Sequence, residues 1–313
     1  MNSGNMASKY LIVLLGPTGV GKTELSIRLS THYNAPILSA DSRQFFRELR
    51  IGTAAPTSAQ LNAAEHYFIG HKSVTERYSC GMFELDALAE LEKIYTTRDV
   101  ALLVGGSMLY INAVCQGIDD FPAPDPDLRR SLEEQLKKEG IESLKAQLKL
   151  LDIEHYRRID LKNTQRVLKA VEICLQTGKP YSSFLTQPSK QRPFTLIKIG
   201  LTLPRQELYE RINRRVDKMI DQGLVNEVES LKEHKSRNAL KTVGYKEIFE
   251  YLEGNTTLDK AIDLIKRNSR RYAKRQLTWW AKDAGIKWFN PSHEQAIVEY
   301  IDSVISNKDS FKR

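Results

Sequence analysis

Residues 11–23 read LIVLLGPTGVGKT, so four residues separate Gly16 from the run Gly21-Lys22-Thr23. This G-x-x-x-x-G-K-T spacing binds phosphate for a physical reason. Glycines let the backbone curl until several N–H groups aim at one anion. The helix that opens near Lys22 turns its positive end to the same point. Gly16, Pro17, Thr18, Gly19, Val20, Gly21, Lys22 and Thr23 are thus the expected anion cradle. Lys22 would reach the outer phosphates, and the Thr23 hydroxyl would ligate Mg²⁺. The loop alone leaves open which phosphate compound binds and whether a phosphoryl group moves.

Other residues have the types and positions for chemistry. Asp41 ends a short apolar run and precedes Ser42-Arg43-Gln44. A carboxylate there serves as general base, as Mg²⁺ partner or as a helix cap. Gly105-Gly106-Ser107 follows another run and suits either close approach to a ligand or a tight turn. Arg211 and Arg215 share a helix face and could clamp a pyrophosphate or pair with Glu207 and Glu210. Residues 266–275 hold Lys266, Arg267, Arg270, Arg271, Lys274 and Arg275 and no acid. Without local counter-charge, this two-row stripe reads as a nucleic-acid backbone contact. Trp279 and Trp280 after it read as core anchors before base-stacking platforms. The six histidines show no metal-ligand spacing.

The elements that position these residues follow from hydrophobic pattern. Leu11–Leu15, Pro36–Ala40, Ala101–Val104 and Phe194–Leu203 read as strands, and helical spacing follows Lys22 and Phe83. Strand–helix alternation with a glycine turn after the first strand predicts an α/β fold, a P-loop core around a parallel sheet. Ligands in such sheets gather at the C-terminal strand ends, which would bring Asp41 and Ser107 beside the loop. The stretch FPAPDPD at 121–127 excludes helix and reads as a hinge. Helical patterns at Leu128–Lys138, Ser143–Leu151 and Asn163–Gln176 come next. The expected division is therefore 1–118 as the first part of the core, 119–190 as a helical insertion, and 191–313 as core completion with a basic helical C-terminal region.

The chain has 313 residues, 47 Lys and Arg against 39 Asp and Glu, and 41% hydrophobic residues. That suffices for a large core, and the positive excess suits a polyanionic partner. Three scattered cysteines argue for a reducing cytosol and against a disulfide framework or zinc site. The polar residues 1–9 are expected to be unstructured and carry no signal peptide. No apolar run approaches a membrane span. The expectation is a cytoplasmic monomer with no membrane partner.

Taken in order, GPTGVGKT (16–23), SADSRQ (39–44), IGTAAP (51–56), YSCGMFELDAL (78–88), LLVGGSMLY (102–110), NTQRVLKAVEI (163–173), Arg211-Ile212 followed by Arg215, TVGYKE (242–247) and AKRQLTWW (273–280) resemble the bacterial tRNA dimethylallyltransferases, also called tRNA isopentenyltransferases. The resemblance spans about residues 9–290. It implies transfer of a dimethylallyl group from dimethylallyl pyrophosphate to N6 of adenosine 37, beside the anticodon of tRNAs that read codons starting with U. Pyrophosphate leaves, with Mg²⁺ assisting, and the target base is extruded into a channel. The resemblance assigns Asp41 as base on the adenine amine, Thr18–Thr23 to the pyrophosphate with Thr23 at the metal, and Arg215 to the leaving charge. It assigns tRNA contacts to Asp41, Ser42, Arg43 and Gln44; to Gln165, Arg166, Val167, Leu168 and Lys169; and to Lys241, Thr242, Val243, Gly244, Tyr245 and Lys246. Lys274, Arg275, Gln276, Leu277, Thr278, Trp279, Trp280 and Ala281 complete that set, with single contacts at Ser107 and Arg129.

Ser107 stands where the family often has Thr, Lys169 where it often has Arg, and Lys241-Thr242 where many members have Arg-Cys. The zinc finger of eukaryotic members is absent. Three rival readings share the loop: a small-molecule kinase, an isopentenyltransferase acting on free adenylate, and an RNA-stimulated NTPase. The kinase and the adenylate enzyme leave the basic stripe without a use. The NTPase would need a separate strand-end Asp for Mg²⁺ and a residue that positions water.

Overall fold

The structure, a computed structural model, describes residues 8–123, 125–185 and 190–310. Residues 1–7 of the stretch expected to be unstructured lie outside these, as do Pro124 of the proline-rich stretch and 186–189 of the insertion. Six strands form one parallel sheet: β1 Tyr10–Leu15, β2 Ile37–Ser39, β3 His66–Tyr67, β4 Val100–Gly105, β5 Thr195–Leu201 and β6 Lys287–Phe289, in the order β3-β2-β4-β1-β5-β6. The four long apolar runs are the four inner strands. The edge strands β3 and β6 have two and three residues, too few for a period-2 pattern to register.

Strand alternation divides the core. Leu11, Val13 and Leu15 of β1 enter one apolar cluster, while Tyr10, Ile12 and Leu14 enter a second. Both faces of the strand are buried, which explains why its sequence is an unbroken apolar run. The first cluster contains Phe45, Phe83 and Trp280, and the second contains Leu25, Leu29 and Ile212. β1 lies between β4 and β5, and β4 pairs with β2, so the C-terminal ends of β2, β4 and β1 are neighbours. Asp41, Gly106 and Gly16 follow those ends.

The chain divides into two compact units, one of residues 1–115 with 191–313 and one of Gln116–Lys190. The second unit is helical, with its own core of Leu132, Leu144, Leu148, Val167, Leu168, Ala170 and Val171. Its first helix corrects the reading of 121–127 as wholly non-helical. The helix runs Pro126–Glu139, with Asp125 as cap accepting from the N–H groups of Asp127 and Leu128. Proline is compatible with the first helical turn, whose N–H groups have no partner within the helix.

Among the described residues no helix is long and apolar enough to cross a membrane.

Candidate active site

The phosphate loop links β1 to the helix Lys22–Tyr33. Gly21 holds φ at +105°, a conformation that a side chain would strain, and it places the helix start directly after the curl. Lys22 Nζ donates to the carbonyls of Gly16 and Pro17, each at 2.9 Å, folding the side chain back over the loop. Burial and the neighbouring Arg215 push its pKa down from 10.5 to about 7, with Asp41 acting in the opposite sense. Burial also lowers the Arg215 pKa, again opposed by Asp41. Arg215 reaches across from the helix Arg205–Asp221 and donates to the Thr53 carbonyl at 3.2 Å.

After β2, Asp41 accepts the Arg43 N–H on Oδ1 at 3.0 Å. The carboxylate therefore organises its own turn while it lines the site cavity, so the cap and site readings describe one residue. Ser42 and Ser107 tie this turn to the one after β4. The Ser42 N–H donates to Ser107 Oγ at 2.9 Å, and that hydroxyl donates to Ser42 Oγ at 3.1 Å. Arg43 donates to the Asn238 carbonyl at 3.1 Å, and Gln44 Nε2 donates to the carbonyls of Thr53 and Ala54 at 3.2 Å.

Thr18, Asp41, Ser42, Arg43, Arg215, Tyr272 and Arg275 help to line a cavity of about 510 Å³. Lys241, Thr242, Val243, Gly244 and Lys246 line another part of it, and Arg271 extends its basic wall. A smaller cavity of about 50 Å³ brings Lys22, Thr23, Ser39 and Asp41 together. Among the described residues no group of three acidic, His or Cys side chains could hold a metal ion. One hydroxyl and one carboxylate do fit Mg²⁺ that arrives with a pyrophosphate, because such an ion keeps most of its ligands from phosphate and water.

Several residues expected to touch RNA are interior instead. Tyr245 is buried, its hydroxyl donating to Glu227 at 2.6 Å. Gln276 and Trp280 are buried, and Leu277 packs against the second cluster. In the insertion, Val167 and Leu168 are core residues. These side chains hold their elements in place, and all but the half-buried Leu277 are closed off from solvent. Lys274, Arg275, Thr278, Trp279 and Ala281 are exposed in the first unit, as are Gln165 and Arg166 in the second. Arg129 bonds Glu172 at 2.9 Å and Gln165 at 2.8 Å, and Lys169 lies 3.6 Å from the same Glu172.

The basic stripe is also revised. Lys266 pairs with Asp217 at 2.6 Å, and Arg270 donates to Asn213 at 2.7 Å over the Tyr209 ring. Counter-charge absent from the local sequence is thus supplied by another helix. Arg211 pairs with Glu207 at 3.0 Å, as the simpler reading of that helix held. Sequence reasoning gave no site role to Glu227, Thr53 or Tyr272. Tyr272 lay within the stripe and could have been found by its i−4 spacing from Gln276; Glu227 carried no local signal.

Fold and site together define a P-loop α/β enzyme whose anion cradle opens on a cavity with a basic wall. The model of the IPP transferase family matches residues 44–283, and the chain belongs to that family. It is 51% identical over 300 residues to tRNA dimethylallyltransferase 1 of Bacteroides fragilis (strain YCH46), covering 96% of this chain and 100% of that protein. Among solved structures it is similar to the tRNA isopentenylpyrophosphate transferase of Bacillus halodurans, at 36% identity and TM-score 0.72, covering 97% of this chain and 99% of that one. A eukaryotic dimethylallyltransferase acting on tRNA, 23% identical with TM-score 0.81 and covering 96% and 80% of the two chains, shares the fold.

Proposed function

We propose that this chain transfers a dimethylallyl group from dimethylallyl pyrophosphate to N6 of adenosine 37 in tRNAs that read codons starting with U. The observation that carries the reading is that Thr18 of the phosphate loop, Asp41 of the turn after β2, Arg215 and Arg275 line one cavity, while a smaller one joins Lys22, Thr23 and Asp41 to Gly105 at the end of β4. Membership of the family supplies the reaction class.

The chemistry asks three things of the residues. The C1–O bond of the allylic pyrophosphate breaks as the N6–C1 bond forms, so negative charge collects on the departing pyrophosphate. The loop N–H groups other than that of Thr18, which Gln276 holds, are the donors for that charge together with Lys22 and Arg215. Mg²⁺ held by Thr23 and the pyrophosphate oxygens, with Asp41 nearby, would neutralise it further. The amine loses a proton as it attacks, and Asp41 is the group to take it. The adenine must also leave its stack to reach the cavity, where the bound substrates would keep water from the allylic carbon. The anticodon stem-loop would lie along Arg271, Lys274 and Arg275, with the exposed Gln165 and Arg166 of the insertion as a second contact. The proposal places the enzyme in the cytoplasm as a monomer.

Radiolabelled dimethylallyl pyrophosphate and Mg²⁺, incubated with unmodified tRNA, with AMP or with no acceptor, test this. Label in tRNA alone is the expected result. Label in AMP would replace the reading with a free-adenylate enzyme, and RNA-stimulated ATP hydrolysis without label transfer would replace it with an NTPase.

A further inference from the structure

Gln276 is buried on the helix Leu258–Trp280, whose exposed residues include Arg271, Lys274 and Arg275. Its side-chain amide bonds at both ends inside the protein. Oε1 accepts the Thr18 N–H at 2.9 Å, and Nε2 donates to the Gly106 carbonyl at 2.8 Å. A backbone N–H only donates and a carbonyl only accepts, so these two partners force the orientation of the amide. Thr18 belongs to the phosphate loop after β1, and Gly106 to the turn after β4. One helical turn earlier, the Tyr272 hydroxyl lies 3.5 Å from the same Gly106 carbonyl. The next residue, Ser107, binds the turn that carries Asp41. This helix therefore bonds the loops after β1 and β4 directly and reaches the turn after β2 only through Ser107, and its only direct bond to the phosphate loop among the described contacts is made by Gln276.

We propose that Gln276 is a positioning residue that couples the basic face of this helix to the phosphate loop, so that RNA engaged on that face changes the affinity for pyrophosphate. The proposal rests on the RNA and donor roles given above. A buried amide cannot exchange a lost partner for water, so the Thr18 N–H must follow the helix when phosphates pull on Arg271 or Arg275. The remaining loop N–H groups move with Thr18, because the curl is one short backbone segment. Linkage makes the effect reciprocal: bound pyrophosphate changes RNA affinity by the same factor.

The test titrates inorganic pyrophosphate with Mg²⁺ into the full chain, with and without an unmodified anticodon stem-loop RNA. In the wild type, RNA shifts the pyrophosphate Kd at least about threefold. Gln276→Met keeps the side-chain length and loses both hydrogen bonds. It weakens pyrophosphate binding about tenfold and abolishes the RNA-dependent shift, while RNA affinity stays within about twofold. Gly106→Ala reaches the same state by another route and carries the test if Gln276→Met fails to fold. Its Cβ would lie 2.5 Å from Gln276 Nε2, displacing the flexible amide while leaving the helix sequence intact. Wild-type pyrophosphate affinity in both variants, or a retained RNA shift, overturns the coupling. Lost RNA affinity with intact pyrophosphate binding makes Gln276 an RNA contact and overturns it equally. A wild type that binds no pyrophosphate removes the phosphate-loop reading itself, a failure visible before any variant is made.

Discussion

Asp41 and Lys22 show how far a side chain's chemistry depends on what surrounds it. Asp41 was legible as base, metal partner or cap, and its contacts combine a turn-forming bond to Arg43 with a place in the cavity wall. Asp41→Asn keeps the turn and removes the base. It is expected to slow transfer about 10²- to 10⁴-fold at saturating donor, in single-turnover rate measurements. Near-normal transfer would remove Asp41 as base. The Lys22 pKa is lowered from 10.5 to about 7 by burial and Arg215. The folded protein thus holds fewer protons on Lys22 than the unfolded chain between those values, and this contribution to stability rises with pH across the same window. Bound pyrophosphate favours the ammonium, so binding at pH 8.5 should take up a proton. Calorimetry in two buffers of different ionisation heat measures that uptake, and Lys22→Met should lose it. Uptake unchanged in the variant would assign the proton elsewhere.

At the scale of elements, the clearest device is one that no local pattern announced. Glu227, on the short helix Leu224–Glu229, accepts the N–H groups of Arg50, Ile51 and Gly52 at 3.0, 2.7 and 3.0 Å and the Tyr245 hydroxyl at 2.6 Å. It pins the segment that ends in Thr53, whose carbonyl receives Arg215. Glu227→Ala leaves three backbone donors and a buried phenol without their acceptor, and should cost on the order of 3 kcal/mol in urea unfolding. Transfer should fall with it, because Arg215 loses its anchor. A loss under about 0.5 kcal/mol would show that water replaces the carboxylate. The long strands and amphipathic helices, by contrast, were legible because burial on one or both faces imposes a period on the sequence.

For the whole molecule, charge distribution matters more than net charge. The six basic residues of 266–275 were read as one RNA-facing stripe, but Lys266 and Arg270 turn to Asp217, Asn213 and Tyr209. Arg271 lines the cavity and, like Lys274, is exposed. Reversing Arg271 and Lys274 to Glu should reduce the slope of log affinity against log salt for tRNA by about 1 per residue, measured by anisotropy across a salt series. Reversing Lys266 should lower stability and leave that slope nearly unchanged. Equal effects on the slope would restore the undivided stripe.

The order of motifs along the chain determined the family, the phosphate loop and the α/β class, because each depends on residue type at short range. A glycine curl before a helix needs no distant partner to be recognised, nor does a strand buried on both faces. Only the tertiary structure decided which polar side chains face the cavity and which support it. Gln276 and Tyr245 have the composition of contact residues and the burial of struts. Glu227 lies 175 residues from Gly52, whose N–H it holds. Such pairings depend on where the sheet brings distant segments together, and no spacing along the chain encodes them.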